Sequence, residues 1–175
     1  MNDAERIFNA FWDSSPPLKL LKQALTRYWK SNNRKFIKGL DGRKIFTRSE
    51  HSLVNYLFQS AGIICMKQAM VLWDKWIREE GIDAHQVIHY HDEAQAEDWY
   101  SNVITHSASS VEDLRSKFGG VITTKPKEEA GIYTAKYCRS GELGVLSIVE
   151  AGKHFNLNVE LGAEYKIGHN WSDTH

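Results

Sequence analysis

The sequence has little cysteine and no long apolar run, and both shortages limit its class. Cys65 and Cys138 are its two cysteines and lie far apart, which favours reduced thiols over a disulfide framework. No apolar stretch approaches the roughly 18 residues that a membrane helix needs. The opening segment carries Asp3, Glu5 and Asp13 and does not read as a signal peptide. We therefore expect a cytoplasmic protein with no membrane partner.

The chain also has no net charge, because it carries 22 basic and 22 acidic residues. The two signs are nevertheless segregated. Residues 30–48 contain one acid, Asp41, and seven basic side chains: Lys30, Arg34, Lys35, Lys38, Arg43, Lys44 and Arg48. Residues 79–98 contain seven acids and no Lys or Arg. The pattern fits either a phosphate-binding surface beside a cation site or two solvated faces of opposite charge.

What the sequence does contain is enough apolar and aromatic material for a folded domain. Of its 175 residues 42% are apolar, with six Trp, seven Tyr and seven Phe. Residues 3–13 and 14–30 have helical periodicity, and the second segment opens with Ser15, Pro16 and Pro17. Residues 34–48 read as a β-hairpin in which Gly42 supplies positive φ. These patterns predict an α+β fold, mostly helical with short hairpins.

A long helix is predicted from Glu50 to Glu80, with Ser49 as its cap and Gly81 as its stop. Its apolar residues fall on several sides, so we expect a largely buried helix. His51, Asn55 and Gln59 nevertheless recur at i, i+4 and i+8 along one face. Their side chains are either internally hydrogen-bonded core groups or donors to an acceptor-rich ligand such as the DNA minor groove.

The stretch HQVIHYHDEAQAED, residues 85–98, reads as a strand, a tight turn and a second strand, with adjacent carboxylates at the tip. Adjacent buried carboxylates repel each other, and a hard divalent cation resolves that repulsion. The histidines at 85, 89 and 91 suggest a rival zinc site, since residues 89 and 91 would share a strand face. An exposed turn with no role is the third alternative.

Together these stretches resemble family A DNA polymerases, the family of bacterial DNA polymerase I and the replicative enzymes of short-tailed phages. The similar stretches are HDE after an apolar strand, KGLDGRKIFTRSEHSLVNYLFQSAG before a long helix, and the ending EYKIGHNWSDTH. The ending is similar to the family's closing strand and C-terminal motif, here Gly168, Trp171 and His175. The resemblance covers roughly residues 1–99 and 141–175, and it implies a polymerase palm segment with a long helix and an HDE hairpin.

The chain also departs from this family. It has no counterpart of the first palm carboxylate and the DxSxxE-like pattern around it, nor of the fingers helix spaced RxxxKxxxxxxYG. One Asp cannot position two metal ions, so two-metal phosphoryl transfer needs more carboxylates than this palm strand supplies. We therefore expect the chain to be inactive alone and active only in an assembly with an N-terminal polymerase portion. A split gene, a remnant and an expressed fragment are the open alternatives.

The expected domain organisation has three parts. Residues 1–99 form a first palm part, and residues 141–175 form a palm helix and closing strand. Residues 100–140 are an insertion of unknown role that is β-rich through the runs GGVITT and AGIYTAKYC.

The resemblance also implies a role for each site residue in DNA-directed DNA synthesis during phage replication, where the primer 3′-hydroxyl attacks the nucleotide α-phosphate. Asp92 is the implied Mg²⁺ ligand, with Glu93 a nearby carboxylate of lesser effect. His91 meets the backbone phosphate of the primer terminus, while Asn55 and Gln59 hold the minor groove. Phosphate or other DNA contacts are implied for Arg48, His51, Lys38, Arg43 and Lys44.

The implied partners are the N-terminal portion, primer-template DNA and nucleoside triphosphates, in the host cytoplasm if a phage encodes the chain. The alternative function is a non-catalytic DNA-binding or polymerase-accessory module.

Overall fold

The fold is α+β, as predicted, in a computed structural model that describes residues 3–118 and 126–174. These residues fall into two compact units, Met1–Ile64 and Cys65–His175, and the boundary lies within the longest helix. Each unit has its own core and is described by itself.

The first unit is built from two helices, a hairpin and the first part of the longest helix. Helix α1 covers Asp3–Ser14 and α2 covers Pro16–Ser31, and both match the periodic segments of the sequence. Proline is tolerated at the start of α2 because the first turn of a helix has no intrahelical acceptor for its missing N–H. Trp29, Ile37 and Leu53 are buried together and form the centre of this unit's core.

The basic hairpin also forms where the sequence predicts it. Strand β1, Phe36–Lys38, pairs antiparallel with β2, Lys44–Phe46, and Ile37 lies opposite Ile45. Gly42 has a φ of 81° in the connecting turn, a conformation that glycine adopts without steric cost. Since alternate strand residues point to opposite faces, Ile37 enters the core while Lys38 and Lys44 stay exposed.

The long helix has nearly the predicted bounds but not the predicted burial. A 3-10 turn at Glu50–Ser52 leads into α3, Leu53–Glu79. Leu53, Trp73 and Ile77 are buried, yet Phe58, Ile63 and Val71 are 53%, 52% and 64% exposed. The expectation of a largely buried helix is therefore wrong for the chain as it stands. The apolar residues surround α3, but in the part of the chain that is described only some of its sides are covered.

The second unit contains the hairpin with the adjacent carboxylates. Strand β3, Ala84–Tyr90, pairs antiparallel with β4, Glu93–Asp98, with an irregularity between Gln86 and Ile88. Ala84 is buried in a cluster with Trp73, Ile77 and Leu143, against which Ala94 and Ala96 also pack. Gln86 Nε2 donates to the Met70 carbonyl at 2.9 Å. The hairpin base is thus attached to the C-terminal half of α3.

A short three-stranded sheet occupies the segment expected to be β-rich. Its order is β5 (Ile104–Ala108), β7 (Ile132–Tyr137), β6 (Lys127–Glu129), and all its pairs are antiparallel. Helix α4, Val111–Lys117, covers it and buries Leu114 in a cluster with Phe118 and Ala135. The run AGIYTAKYC contains β7, while GGVITT lies outside the described residues. That residues 100–140 form a separate insertion stays a prediction.

Helix α5, Arg139–His154, is the helix predicted after this segment. The Trp73 indole donates to the Ser140 carbonyl at 2.7 Å, and Ser140 Oγ donates to Asp98. Tyr165 packs so closely on Gly141 that a Cβ added there would lie 2.5 Å from the Tyr165 ring. Side-chain contacts of this kind therefore anchor the C-terminal segment.

The expected closing strand is not observed, because no strand is assigned within residues 155–174. A single short helical turn, α6, covers Trp171–Thr174. Cys65 and Cys138 are free and buried, consistent with the predicted reduced thiols. In the described part of the chain, no helix has the length and apolar content needed to span a membrane.

Candidate functional site

The tip of the second hairpin consists of His91, Asp92 and Glu93, called the hairpin tip below. Tyr90 pairs with Glu93, so His91 and Asp92 alone form the turn. His91 has a φ of 55°, in the left-handed region that residues other than glycine seldom adopt. Such a conformation costs on the order of 1–3 kcal/mol and persists only where the surroundings hold it.

Asp92 is exposed at this tip. Among the described residues, none donates a hydrogen bond to its carboxylate or forms an ion pair with it. The sequence predicted a carboxylate at a turn tip, and the structure presents it to solvent. Asp92 is therefore available to an external ligand.

Glu93 is in a different situation, although it is the next residue in the chain. Its Oε1 accepts a hydrogen bond from the indole Nε1 of Trp171 at 3.1 Å and another from the side-chain amide of Gln95. Thr174 Oγ1 donates to Gln95 Oε1 at 3.2 Å. One of the two adjacent carboxylates is thus tied to the protein and the other is open.

Residues 168–174 form a compact C-terminal turn against β4. His169 N donates to Asp173 Oδ2 at 2.9 Å, and the His169 ring stacks on Tyr100 with centroids 5.2 Å apart. A Cβ on Gly168 would collide with the side chain of Asp173, so the turn requires glycine at this position. Gly168 and Trp171 therefore act in one local structure, whereas His175, the third residue of the motif, lies outside the described residues.

The alternative zinc site fails on the positions of the histidines. His91 is in the turn and not on the strand, so residues 89 and 91 do not share a strand face. His89 Nε2 lies 3.1 Å from the His91 carbonyl oxygen, and His85 Nε2 lies 3.1 Å from Asp83. No group of three His, Cys, Asp or Glu side chains within the described ranges could hold a metal ion.

Because no such group of three side chains exists among the described residues, they also do not form a complete magnesium site. Mg²⁺ prefers oxygen ligands in near-octahedral geometry and is commonly held by one or two protein carboxylates together with substrate phosphates and water. Asp92 has the right chemistry for one such ligand. The described residues supply one free carboxylate at the tip and not a complete ligand set.

In the first unit, the polar line on α3 is exposed. His51, Asn55 and Gln59 all face solvent. Because the two amides are not buried, they are not the satisfied core groups of the alternative interpretation. Their side chains are free to donate to an external acceptor.

The seven basic residues of positions 30–48, called the basic surface below, are all exposed. Lys30 Nζ lies 3.5 Å from Glu50 and Arg43 Nε lies 2.5 Å from Asp41. Lys44 Nζ lies 4.8 Å from the Phe36 ring centroid. No ion pair within the described ranges involves the other members, Arg34, Lys35, Lys38 and Arg48, so most of this charge is uncompensated locally.

An ion-pair network joins the end of α3 to the start of α5 in the second unit. Arg139 donates to Glu80 through Nε at 2.9 Å and through Nη2 at 2.6 Å, and also to Glu142. The hydrogen bond from Arg139 holds the pKa of Glu80 below its usual value. Burial, followed by the hydrogen bond to Glu142, raises the pKa of Tyr137 to about 12. Sequence patterns gave no signal for the pairing of Arg139 with Glu80, because these two residues lie 59 positions apart in the chain.

The sequence itself is similar to DNA polymerases, so the chain is a DNA polymerase-related segment and the expected resemblance is confirmed. It is 27% identical to the DNA-directed DNA polymerase of Escherichia phage Phieco32 over 147 residues, 80% of this chain and 18% of that protein. The DNA-directed DNA polymerases of Enterobacteria phage T3 and Escherichia phage T7 are 26% and 27% identical over 84% of the chain.

The chain spans less than a fifth of the length of these relatives, at 17% to 18%. No protein-family model matches it.

Proposed function

We propose that this chain is the C-terminal palm portion of a family A DNA polymerase and works only together with an N-terminal portion. In that assembly Asp92 is a metal ligand for nucleotidyl transfer, and the first unit contacts the primer-template. The observation that carries the proposal is an exposed Asp92 on a two-residue turn, without a partner among the described residues, in a chain similar to phage DNA polymerases over most of its length.

The chemistry of Asp92 supports this role. A carboxylate without an internal partner keeps its oxygen lone pairs for a ligand, and a hard cation binds such oxygens. Bound Mg²⁺, shared with carboxylates outside the described residues, would stabilise the charge that develops during phosphoryl transfer. The contribution of this chain is to hold Asp92 in place, with Glu93 as a neighbouring carboxylate of lesser effect and His91 placed to contact the primer terminus.

The exposed side chains of the first unit support DNA contacts. Asn55 and Gln59 are amides on one face of α3, and the minor groove presents an acceptor at every base pair. His51 lies on the same line. Lys38, Lys44 and Arg48 belong to the basic surface, which would bind phosphates without reading sequence.

The dependence on an N-terminal portion rests on what a polymerase site must contain. Two-metal phosphoryl transfer needs carboxylates on both sides of the ions. The described residues contain no cluster of three metal-binding side chains, and the chain matches less than a fifth of its relatives. The remaining ligands and the nucleotide-binding fingers would therefore come from the rest of the polymerase.

Primer extension tests the proposal. The chain alone, given primer-template, Mg²⁺ and nucleotides, should give no product. Produced together with an N-terminal polymerase portion that carries the first palm carboxylate and the fingers, it should extend primers, and Asp92→Asn should abolish extension while leaving the complex assembled. Glu97→Gln is the matched control, because Glu97 is an exposed carboxylate on the same hairpin.

The outcomes separate the two candidate functions. Extension by the chain alone would contradict the dependence on a partner, and near-normal turnover of Asp92→Asn would remove Asp92 from the active site. DNA affinity that survives Asp92→Asn, with no extension in any assembly, would favour the non-catalytic DNA-binding module. The basic surface is the observation that keeps this second candidate in consideration.

A further inference from the structure

The C-terminal turn contacts the hairpin tip at the Glu93 carboxylate. The Trp171 indole and the Gln95 amide both donate to Glu93 Oε1, and Thr174 fixes Gln95 from the other side. Residue 171 lies 78 positions away from residue 93, so this contact closes a long loop of chain onto the tip. The contact therefore ties the tip to an element outside its own hairpin.

The tip needs such support because its own local structure is weak. A two-stranded hairpin by itself is at best marginally stable in water. His91 has a φ of 55°, which costs energy for a residue other than glycine. Asp92, between the strained residue and the anchored one, has no partner of its own among the described residues. The backbone that aims the Asp92 carboxylate is therefore fixed on one side by Glu93.

We propose that Trp171 is a positioning residue: its indole N–H holds Glu93, and Glu93 in turn fixes the turn that presents Asp92. The inference rests on the proposed function, which it deepens by giving the two adjacent carboxylates different tasks. Asp92 binds the metal ion, and Glu93 serves as the anchor. Groups that orient a metal ligand in this way typically alter metal affinity or activity by 10- to 100-fold when they are removed.

The isolated chain gives a test that does not depend on catalysis. Trp171→Phe keeps an aromatic ring but removes the N–H donor. Trp99→Phe is the matched control, because the Trp99 indole donates to Asp83 Oδ2 at 2.7 Å, away from the tip. Both indoles are substantially exposed, at 43% for Trp171 and 65% for Trp99, so neither change should unfold the protein.

The measured quantity is the backbone order parameter of His91, Asp92 and Glu93 from ¹⁵N relaxation. We expect Trp171→Phe to lower it from about 0.85, the value of a rigid backbone, to below about 0.6, that of a flexible one. Trp99→Phe should leave it unchanged. An unchanged order parameter in Trp171→Phe would overturn the inference whatever the fate of the proposed function.

The complete polymerase gives the second test, the Mg²⁺ concentration for half-maximal extension. Trp171→Phe should raise it about 10-fold. Glu93→Gln should raise it less than Glu93→Ala does, because its amide oxygen still accepts from Trp171, whereas Glu93→Ala should resemble Trp171→Phe. If Glu93→Gln is as inactive as Asp92→Asn, then Glu93 is a ligand and the inference is wrong. If Asp92→Asn itself has no effect, the proposed function fails and the relaxation result still decides the anchoring.

Discussion

The basic surface gives the most quantitative prediction, the dependence of DNA affinity on salt. Five of its seven cations, Arg34, Lys35, Lys38, Lys44 and Arg48, have no ion pair with a described residue. Each phosphate neutralised on duplex DNA contributes about 0.9 to the slope of log affinity against log salt. If all five bind phosphates, the slope is about −4.5, and affinity falls about 500-fold between 50 and 200 mM salt.

The perturbation is the double variant Lys38→Ala/Lys44→Ala, which leaves three of those cations. The slope should become about −2.7, so the same salt interval should cost only about 40-fold. Lys75→Ala/Lys153→Ala is the matched control. It removes the same charge from surface ion pairs, in which Lys75 lies 3.6 Å from Glu79 and Lys153 lies 3.3 Å from Glu150. Its slope should equal that of wild type.

Fluorescence anisotropy of a labelled primer-template, titrated at four or more salt concentrations, gives both slopes. Repeating the titration with an unrelated duplex sequence should change the affinity little, because phosphate contacts carry no sequence information. A wild-type slope near zero would refute the reasoning, and so would an equal loss of slope in the control variant. Strong preference for one duplex sequence would assign the binding to base contacts instead.

Three further predictions concern single side chains. Gln59→Ala should leave the melting temperature unchanged, because Gln59 is exposed. It should also reduce the difference in extension rate between matched and mismatched primer ends. A lower melting temperature with an unchanged difference between the two primer ends would refute the minor-groove role. His91→Gly should raise or preserve the melting temperature, because glycine adopts a φ of 55° without strain. It should lower primer extension by the complete polymerase if the His91 ring contacts the primer. Extension equal to that of wild type would argue against that contact. Arg139→Met should lower the melting temperature at neutral pH, because it removes the partner that lowers the pKa of Glu80 from its usual value of 4.5. This ion pair stabilises the fold above pH 4.5, and its contribution is lost as Glu80 becomes protonated at lower pH, so the difference between wild type and variant should shrink there. Calorimetry across pH 3 to 7 tests this.

Local sequence patterns were enough to predict most of the helices and strands. The helical periodicity of α1, α2 and α3, the glycine turn of the basic hairpin and the strand–turn–strand pattern of residues 85–98 all gave elements close to those observed. Each depends on residues a few positions apart, so the sequence alone carries the signal. The same locality placed Asp92 at a turn tip. The likeness to phage polymerases was also readable from short stretches in their order along the chain.

Tertiary structure decided which polar and apolar groups find partners. The sequence could not show that α3 leaves Phe58 and Val71 exposed, because burial depends on which elements pack on which side of a helix. Nor could it show that Tyr165 docks on Gly141 where a closing strand was expected.

The difference between the two tip carboxylates arose in the same way. Asp92 and Glu93 are adjacent and chemically alike, but Glu93 accepts hydrogen bonds from Gln95 and from Trp171, and Trp171 lies 78 residues from Glu93 in the chain. A contact over that distance leaves no periodic trace in the sequence. It exists only once the fold has brought the C-terminal turn onto β4, and so only the tertiary structure shows that Glu93 is held by the protein while Asp92 faces solvent.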